Sequence, residues 1–331
     1  MAGVEVFSRI NFGKETVKGT AVARTRRFYG TAAGAITVGD EWNFHEAENR
    51  GSRTRVNRAP TEVRRAPVVK LNDSDGIGYD DLVLPFSIGL KGGITGVGGA
   101  ADKTWTFTPS QTATNSYESM SMDIGDDVQN YIFDYVQATR WMLTAELGQK
   151  THLEMDVFAQ DITKGAASAP AENATPRIPA DLWTIKTAAT FAGLGGASVQ
   201  ANVLRSWSFE YLTGIKPRFY LDGTLLLGQS VETDLIGNLS MEVESVAYAV
   251  SEFYDKWQAG TLDFVRLKAQ GPVLGGTFYS LQLDIPVYWS LVEPLSGVDD
   301  GVNLYKIEGK MEYDGTNGLS VVLINSLAAI P

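Results

Sequence analysis

Near the end of the chain apolar and charged residues trade places one for one. Tyr305, Ile307, Met311 and Tyr313 alternate with Lys306, Glu308, Lys310 and Glu312, and a period of two sends the two sets to opposite faces of a strand. Asp314-Gly315 and Asn317-Gly318 then supply turn chemistry, and Leu319, Val321 and Leu323 carry the return, so residues 304–325 are expected to form a closing antiparallel hairpin. The middle of the chain has the same pattern. Trp141, Leu143, Ala145 and Leu147 alternate outbound, Gly148-Gln149-Lys150 turn, and Leu153, Met155 and Val157 return.

Further alternation predicts strands over 35–44, 68–71, 104–108, 120–124, 131–135, 206–219 with a break at Gly214, 239–246, 264–267 and 279–289. Two short helices interrupt them. Residues 79–90 are apolar enough for a buried helix, provided that Pro85 falls in its first turn. Residues 251–259 place Phe253, Tyr254 and Trp257 on one stripe, with Ser251 as the expected cap and Gly260 as the stop. The opening, NFGKETVKGTAVARTRRFYG, has too little apolar periodicity for a core element and reads as an extended arm. The stretch 163–179, TKGAASAPAENATPRIP, is small, polar and Pro-rich, the composition of a linker. On either side of it the order is the same: strand, long loop, strand, short helix, strand meander. This repeat of architecture, without repeat of residues, predicts a mainly β chain with one unit over 1–165, a linker over 166–180 and a second unit over 181–331.

The 331 residues, 44% hydrophobic and 20% charged, are those of a globular chain large enough for two cores. The chain has no cysteine, which excludes disulfides and thiolate chemistry and agrees with a reducing compartment. No run approaches a membrane helix, and the first fifteen residues lack a signal-peptide core, so neither a membrane nor standard export is expected. The net charge of −11 is unevenly placed. Residues 1–70 hold 13 Lys and Arg against 7 Asp and Glu, a net of +6, leaving 15 against 32, a net of −17, for the rest. Half of the basic excess lies in 46–67, with Arg50, Arg53, Arg55, Arg58, Arg64 and Arg65 and few apolar residues, a long loop or protruding hairpin. It has neither the aromatic platforms nor the recognition helix of a nucleic-acid site. The basic part of one copy meeting the acidic part of another fits it better.

Candidate chemistry is sparse. His45 and His152 stand on separate predicted strands without cysteine support, and no Gly-x-Ser-x-Gly elbow occurs, so no catalytic, metal or cofactor residue is expected. The Gly-rich stretches at 96–99 and 193–196 lack the Lys-Ser/Thr of a phosphate loop, and Asp73-Ser74-Asp75-Gly76 lacks the later ligands of a calcium loop. Asp126-Asp127 and Asp299-Asp300 read as turns. Glu242 and Glu244 differ, because alternation puts both on one strand face, suited to a surface or to a channel wall. A sugar-binding β-sandwich would need Trp183, Trp207 or Trp257 exposed beside a carboxylate, and Trp257 is expected to be buried on its helix stripe.

The opening NFGKETVKGTAVARTRRFYG, the middle YESMSMDIGDDVQNYIFDYVQATRWMLTAELGQ and the stretch from TGIKPRF through YDKWQAGTLDFVRLKAQG to VVLINSLAAIP together resemble the major tail tube proteins of long-tailed, siphovirus-like bacteriophages. The resemblance implies two tandem tail-tube domains, each an antiparallel β-sandwich or partial barrel with a short flanking helix. It further implies a structural virion protein and not an enzyme, assembled in the host cytoplasm into stacked rings, trimers with pseudo-sixfold symmetry, through which DNA passes without specific binding. Tape measure and tail terminator proteins are the implied partners. Within that expectation Arg50, Arg53, Arg55, Arg58, Arg64 and Arg65 are candidates for contact between rings, and Glu242, Glu244, Lys306, Glu308, Lys310 and Glu312 for the lumen or a subunit interface. A tail terminator, distal tail or capsid decoration protein is the nearest alternative. Sheet edges are a liability that closure into a barrel removes, which agrees with assembly on independent grounds.

Overall fold

A computed structural model describes residues 8–32, 36–43 and 60–331. Antiparallel strands dominate it, as the alternation predicts. The first half contains β1 (Arg9–Lys14), β2 (Arg26–Phe28), β3 (Gly30–Ala32), β4 (Glu41–Asn43), β5 (Thr61–Arg64), β6 (Val68–Asp73), helix α1 (Val83–Gly89), β7 (Lys103–Phe107), β8 (Met120–Gly125), β9 (Asn130–Glu146), β10 (His152–Phe158) and β11 (Asp161–Gly165). The second contains β12 (Trp183–Ala188), β13 (Leu204–Leu212), β14 (Ile215–Arg218), β15 (Gln229–Glu232), β16 (Ile236–Glu244), α2 (Ala247–Ala249) continued by a π-helical turn Val250–Tyr254 into α3 (Asp255–Ala259), β17 (Asp263–Leu274), β18 (Thr277–Asp299), β19 (Val302–Met311) and β20 (Ser320–Asn325).

Two long strands build the layers. Residues 130–136 of β9 pair with β8 and β11, whereas its residues 137–146 pair with β10 on one side and β13 on the other. The strand turns from one sheet into the next at Tyr135, which has a positive φ of 54°. Strand β18 does the same work: residues 277–287 lie beside β17, with β20 on the other side, and 287–299 lie beside β19. One sheet therefore runs β3-β6-β10-β9-β13-β16-β19-β18, shared by both halves, with the other strands layered behind it except β4/β5 and β14/β15, which form separate two-stranded sheets. A strand that serves two sheets makes the corner of a sandwich without leaving backbone groups unpaired.

The main core between the layers is a cluster reaching from Ile10 to Leu323, filled by Trp105, Trp141, Phe86, Phe107 and Phe209, with a smaller second cluster of Tyr117, Tyr135, Phe158, Ile215 and Leu227. Helix α1 is buried all round, as a helix inside a core must be. Pro85 is its third residue, where a missing N–H breaks no helical hydrogen bond. Phe86 meets Phe107 at 5.6 Å and Trp141 at 5.3 Å between ring centroids. The second helix begins at Ala247, so Ser251 lies inside it instead of capping it, and its hydroxyl bonds back to the Tyr248 carbonyl at 3.3 Å. Gly260 does end it, in the left-handed conformation.

Three expectations are corrected. The closing hairpin does not exist: β19 pairs with β16 and β18, and β20 crosses to the other layer to lie between β18 and β7. Asp314 does make the expected turn, accepting from the amides of Thr316 and Asn317 at 2.6 and 2.5 Å, but the turn changes sheets. The opening is no loose arm either, since β1 is a core strand between β2 and β8 with Phe12 wholly buried. The linker composition is also misleading. Asn173 Nδ2 and Arg177 Nη1 donate to the buried Asp81 carboxylate at 2.9 and 3.0 Å, and Arg26 Nη2 reaches it at 2.9 Å, so residues 173–177 are tied to both β2 and the turn before α1.

Candidate assembly surfaces

One face of the shared sheet is covered by the core and the other is polar. The registers set side chains of the polar face in rows. One row runs Glu154, Met142, Glu210, Asn238, Lys310, Tyr288, and the next His152, Thr144, Ser208, Ser240, Glu308, Leu291. Acidic groups outnumber basic ones here, with Glu154, Asp156, Glu210, Glu242, Glu293 and Glu308 against Lys70, Arg140, Lys306 and Lys310. Many are joined: Arg140 Nε donates to Glu210 Oε1 at 2.5 Å, and Lys306 Nζ meets Glu308 Oε1 at 2.8 Å. The hydrogen bond from Arg140 holds the Glu210 carboxyl below its ordinary value, and the Glu308 hydrogen bond raises Lys306.

The sequence candidates among the described residues each have a place. Glu242 lies on the polar face opposite Ser206 and Lys306, accepting from Ser206 Oγ at 3.1 Å. Glu244 is half-buried at the end of the same strand, paired with Arg205 at 2.7 Å. Lys310 stands between Asn238 and Tyr288, and Glu312 lies past the end of β19 with its amide on the Pro286 carbonyl at 3.0 Å. Arg64 is paired with Glu41 and sits 5.1 Å from the Phe219 ring centroid. Arg65 is engaged by Glu62 at 3.0 Å, Asp161 at 3.0 Å and Asp40 at 3.3 Å. Both therefore serve the chain's own fold. Arg50, Arg53, Arg55, Arg58 and His45 lie outside the described residues.

The two ends of the sheet path differ from its middle. At the β9–β13 seam seven residue pairs, from Ser206–Glu146 to Leu212–Arg140, join the halves. The outer edge of β18 from Tyr288 onward has no strand against it among the described residues, and neither has the outer edge of β3. Leu295 and Val298 on that β18 segment are 65% and 68% exposed. Two hairpins, β4/β5 and β14/β15, leave the sheet at one end and touch there, with Arg65 N donating to the Leu225 carbonyl at 3.0 Å. The turns at the other end carry Asp75, Glu146, Asp181, Asp299 and Asp300. Sequence reasoning missed this polarity, because it depends on which ends of non-adjacent strands coincide.

Catalytic arrangements do not emerge among the described residues. His152 Nδ1 meets Asp73 Oδ1 at 2.8 Å, but Asp73 also takes the amides of Leu153 and Gly76, which makes it a turn-holding carboxylate. Asp126 likewise takes the amides of Val128 and Gln129 at 2.8 and 2.9 Å. No group of three or more His, Cys, Asp and Glu could hold a metal among the described residues. Trp183 and Trp207 are buried and Trp257 is half-buried against the core, so none is an open sugar platform. No helix of the described residues is long and apolar enough to cross a membrane. No protein-family model and no curated protein sequence matches the chain.

Proposed function

We propose that this chain is a structural subunit of the phage tail-tube kind, a virion protein whose copies close their shared sheets into a ring and whose rings stack into a channel for DNA. The observation that carries the reading is the β9–β13 seam. Both halves order their sheet strands alike, β3-β6-β10-β9 in the first and β13-β16-β19-β18 in the second. The seam joins the last strand of one set to the first strand of the other. The last strand of the second set, β18, and the first strand of the first, β3, carry the open edges. Pairing β18 of one copy with β3 of the next repeats the seam between chains. Such head-to-tail contacts close into a ring when the rotation permits. This is also the reading that treats the two halves as tandem domains.

Ring size follows from strand count. Three copies of an eight-stranded sheet make a barrel of roughly 24 strands, which at ~4.8 Å per strand has a perimeter of about 115 Å and a backbone diameter of roughly 40 Å. Two copies would give the size of a small aqueous channel instead. The polar face of the sheet becomes the lumen wall, its acidic excess repelling the DNA that passes. Charge complementarity between the arginine-rich sequence 46–67 of one copy and the acidic turns of another joins ring to ring in this reading, with tape measure and terminator proteins as further partners.

Negative-stain electron microscopy and sedimentation of the purified chain test this. Rings of three copies, alone or stacked, are expected. A chain that remains monomeric at high concentration overturns the proposal, and rings that never stack favour a terminator or distal tail component.

A further inference from the structure

We propose that the tip of the β14/β15 hairpin, residues 220–225, is a plug that enters a cavity at the opposite end of a second copy of this chain, joining one ring to the next. The proposal rests on the ring reading above and names the residues of its stacking contact.

The plug is apolar where a surface loop is ordinarily polar. Leu221 is fully exposed, and Tyr220 and Leu225 are 44% and 37% exposed. A cluster of this kind on a protruding turn marks a contact site. The turn is also held in shape before any contact is made. Asp222 Oδ1 accepts from Thr224 N at 3.1 Å and from Thr224 Oγ1 at 2.9 Å, and Gly223 takes the positive φ of 85° that closes the turn. Gly228 lies under the Tyr220 ring, where a Cβ would come within 2.6 Å of Cδ2, so the ring lies against the returning strand. The base is anchored by Ile215 and Leu227, buried with Tyr117, Tyr135 and Phe158. A rigid tip loses little entropy on docking.

The socket is a cavity of about 520 Å³ whose lining includes Leu147, Val199, Ala201, Trp183, Trp207 and Arg205. Leu147 and Val199, 51% and 47% exposed, give it apolar contacts among polar lining residues that include Glu146, Asp181, Gln200 and Asn202. Trp207 Nε1 is buried without an acceptor. Strand β13 starts at this cavity and runs nine residues, roughly 30 Å, to the hairpin. Plug and socket therefore sit at opposite ends of one strand and cannot meet within a copy. A contact between unlike ends of identical chains is heterologous and repeats without closing along its axis, which is the geometry of a stack.

The chain has no cysteine, so two single variants give a clean test. Leu221→Cys mixed with Val199→Cys and treated with a short bis-maleimide is expected to give a cross-linked pair that neither variant gives alone, and the chain carrying both changes a ladder of multiples. Leu221→Asp is expected to leave the melting temperature and the rings unchanged while tubes are lost. Tubes of normal length from Leu221→Asp, or a pair formed as readily by Leu221→Cys alone as by the mixture, would overturn the plug. If the unmodified chain forms no rings, the ring reading fails by itself, and the mixed cross-link in concentrated solution still decides the plug: its absence rejects it.

Discussion

The β9–β13 seam and the outer edge of β18 are two sheet edges of equivalent position in the two halves, one covered and one bare. At the seam Trp141 of β9 is wholly buried, stacked on Tyr211 at 5.4 Å and edge-on to Phe209 at 5.6 Å, both from β13. Above it, on the polar face, Arg140 reaches across to Glu210. The corresponding stretch of β18 presents Leu295 and Val298 to solvent. The difference shows that one edge geometry is completed inside the chain where its partner strand is covalently supplied. At β18 no strand is supplied among the described residues and the same geometry stays open, and an open edge is a template for another strand.

Breaking the seam should have the largest effect on folding. Trp141→Ala is expected to destabilise the chain by about 3–5 kcal/mol in chemical denaturation, through the cavity left among Phe86, Phe209 and Tyr211. An effect under about 1 kcal/mol would mean that the halves hold together without it. Next comes the turn that lets β9 serve two sheets. Glu15 is buried and accepts from Ser119 Oγ at 2.5 Å, Ser121 Oγ at 3.0 Å, Gly19 N at 2.8 Å and Tyr135 N at 2.8 Å. Glu15→Ala strands these donors and is expected to cost about 3 kcal/mol, with amide exchange rising first around Tyr135.

A smaller effect is expected at the seam's ion pair. Glu210 titrates below its ordinary value in the folded chain, so the unfolded chain binds more protons in that window. Its contribution is complete at neutral pH and is lost as pH falls below about 4.5 through the folded pKa. Glu210→Gln should lower stability at pH 7 by about 0.5 kcal/mol and flatten this part of the acid dependence. Equal loss at pH 7 and pH 3 would show that the pair contributes packing and not charge. The smallest effect on folding is expected at the open edge. Leu295→Asp combined with Val298→Asp should change stability by less than about 0.5 kcal/mol while abolishing rings in sedimentation. Rings that survive the double change would place the subunit contact elsewhere.

The sequence makes the mid-chain hairpin legible because two alternating runs flank a turn of three residues, and β9 and β10 pair as expected. The same logic fails at residues 304–325. Alternation sorts faces but does not choose partners, and Asp314 turns the chain toward β18 and β7 instead of back on itself. The polarity of β1 hid a core strand, since Asn11 is buried by its bond to Asp123 at 2.7 Å and Glu15 by its four donors. Of the candidate surface residues, Glu242 and Lys306 fall opposite one another as a strand face predicts. The Asp161 partner of Arg65 was not legible, because it lies 96 residues away in sequence.

Local pattern alone determined that this chain is mainly β, which residues of the cleanly alternating strands such as β10 face the core, and that two short helices interrupt the strands. Those properties follow from the two-residue period of the pleat and from the chemistry of a few glycines and prolines, and they need no knowledge of neighbours. Tertiary structure decided that β9 and β18 turn from one layer into the other, that the two halves share a sheet at the seam, and that hairpins and cavity lie at opposite ends. Strand pairing is chosen by the sum of packing and hydrogen bonding over segments as far apart as β7 and β20. No short window of sequence contains that sum.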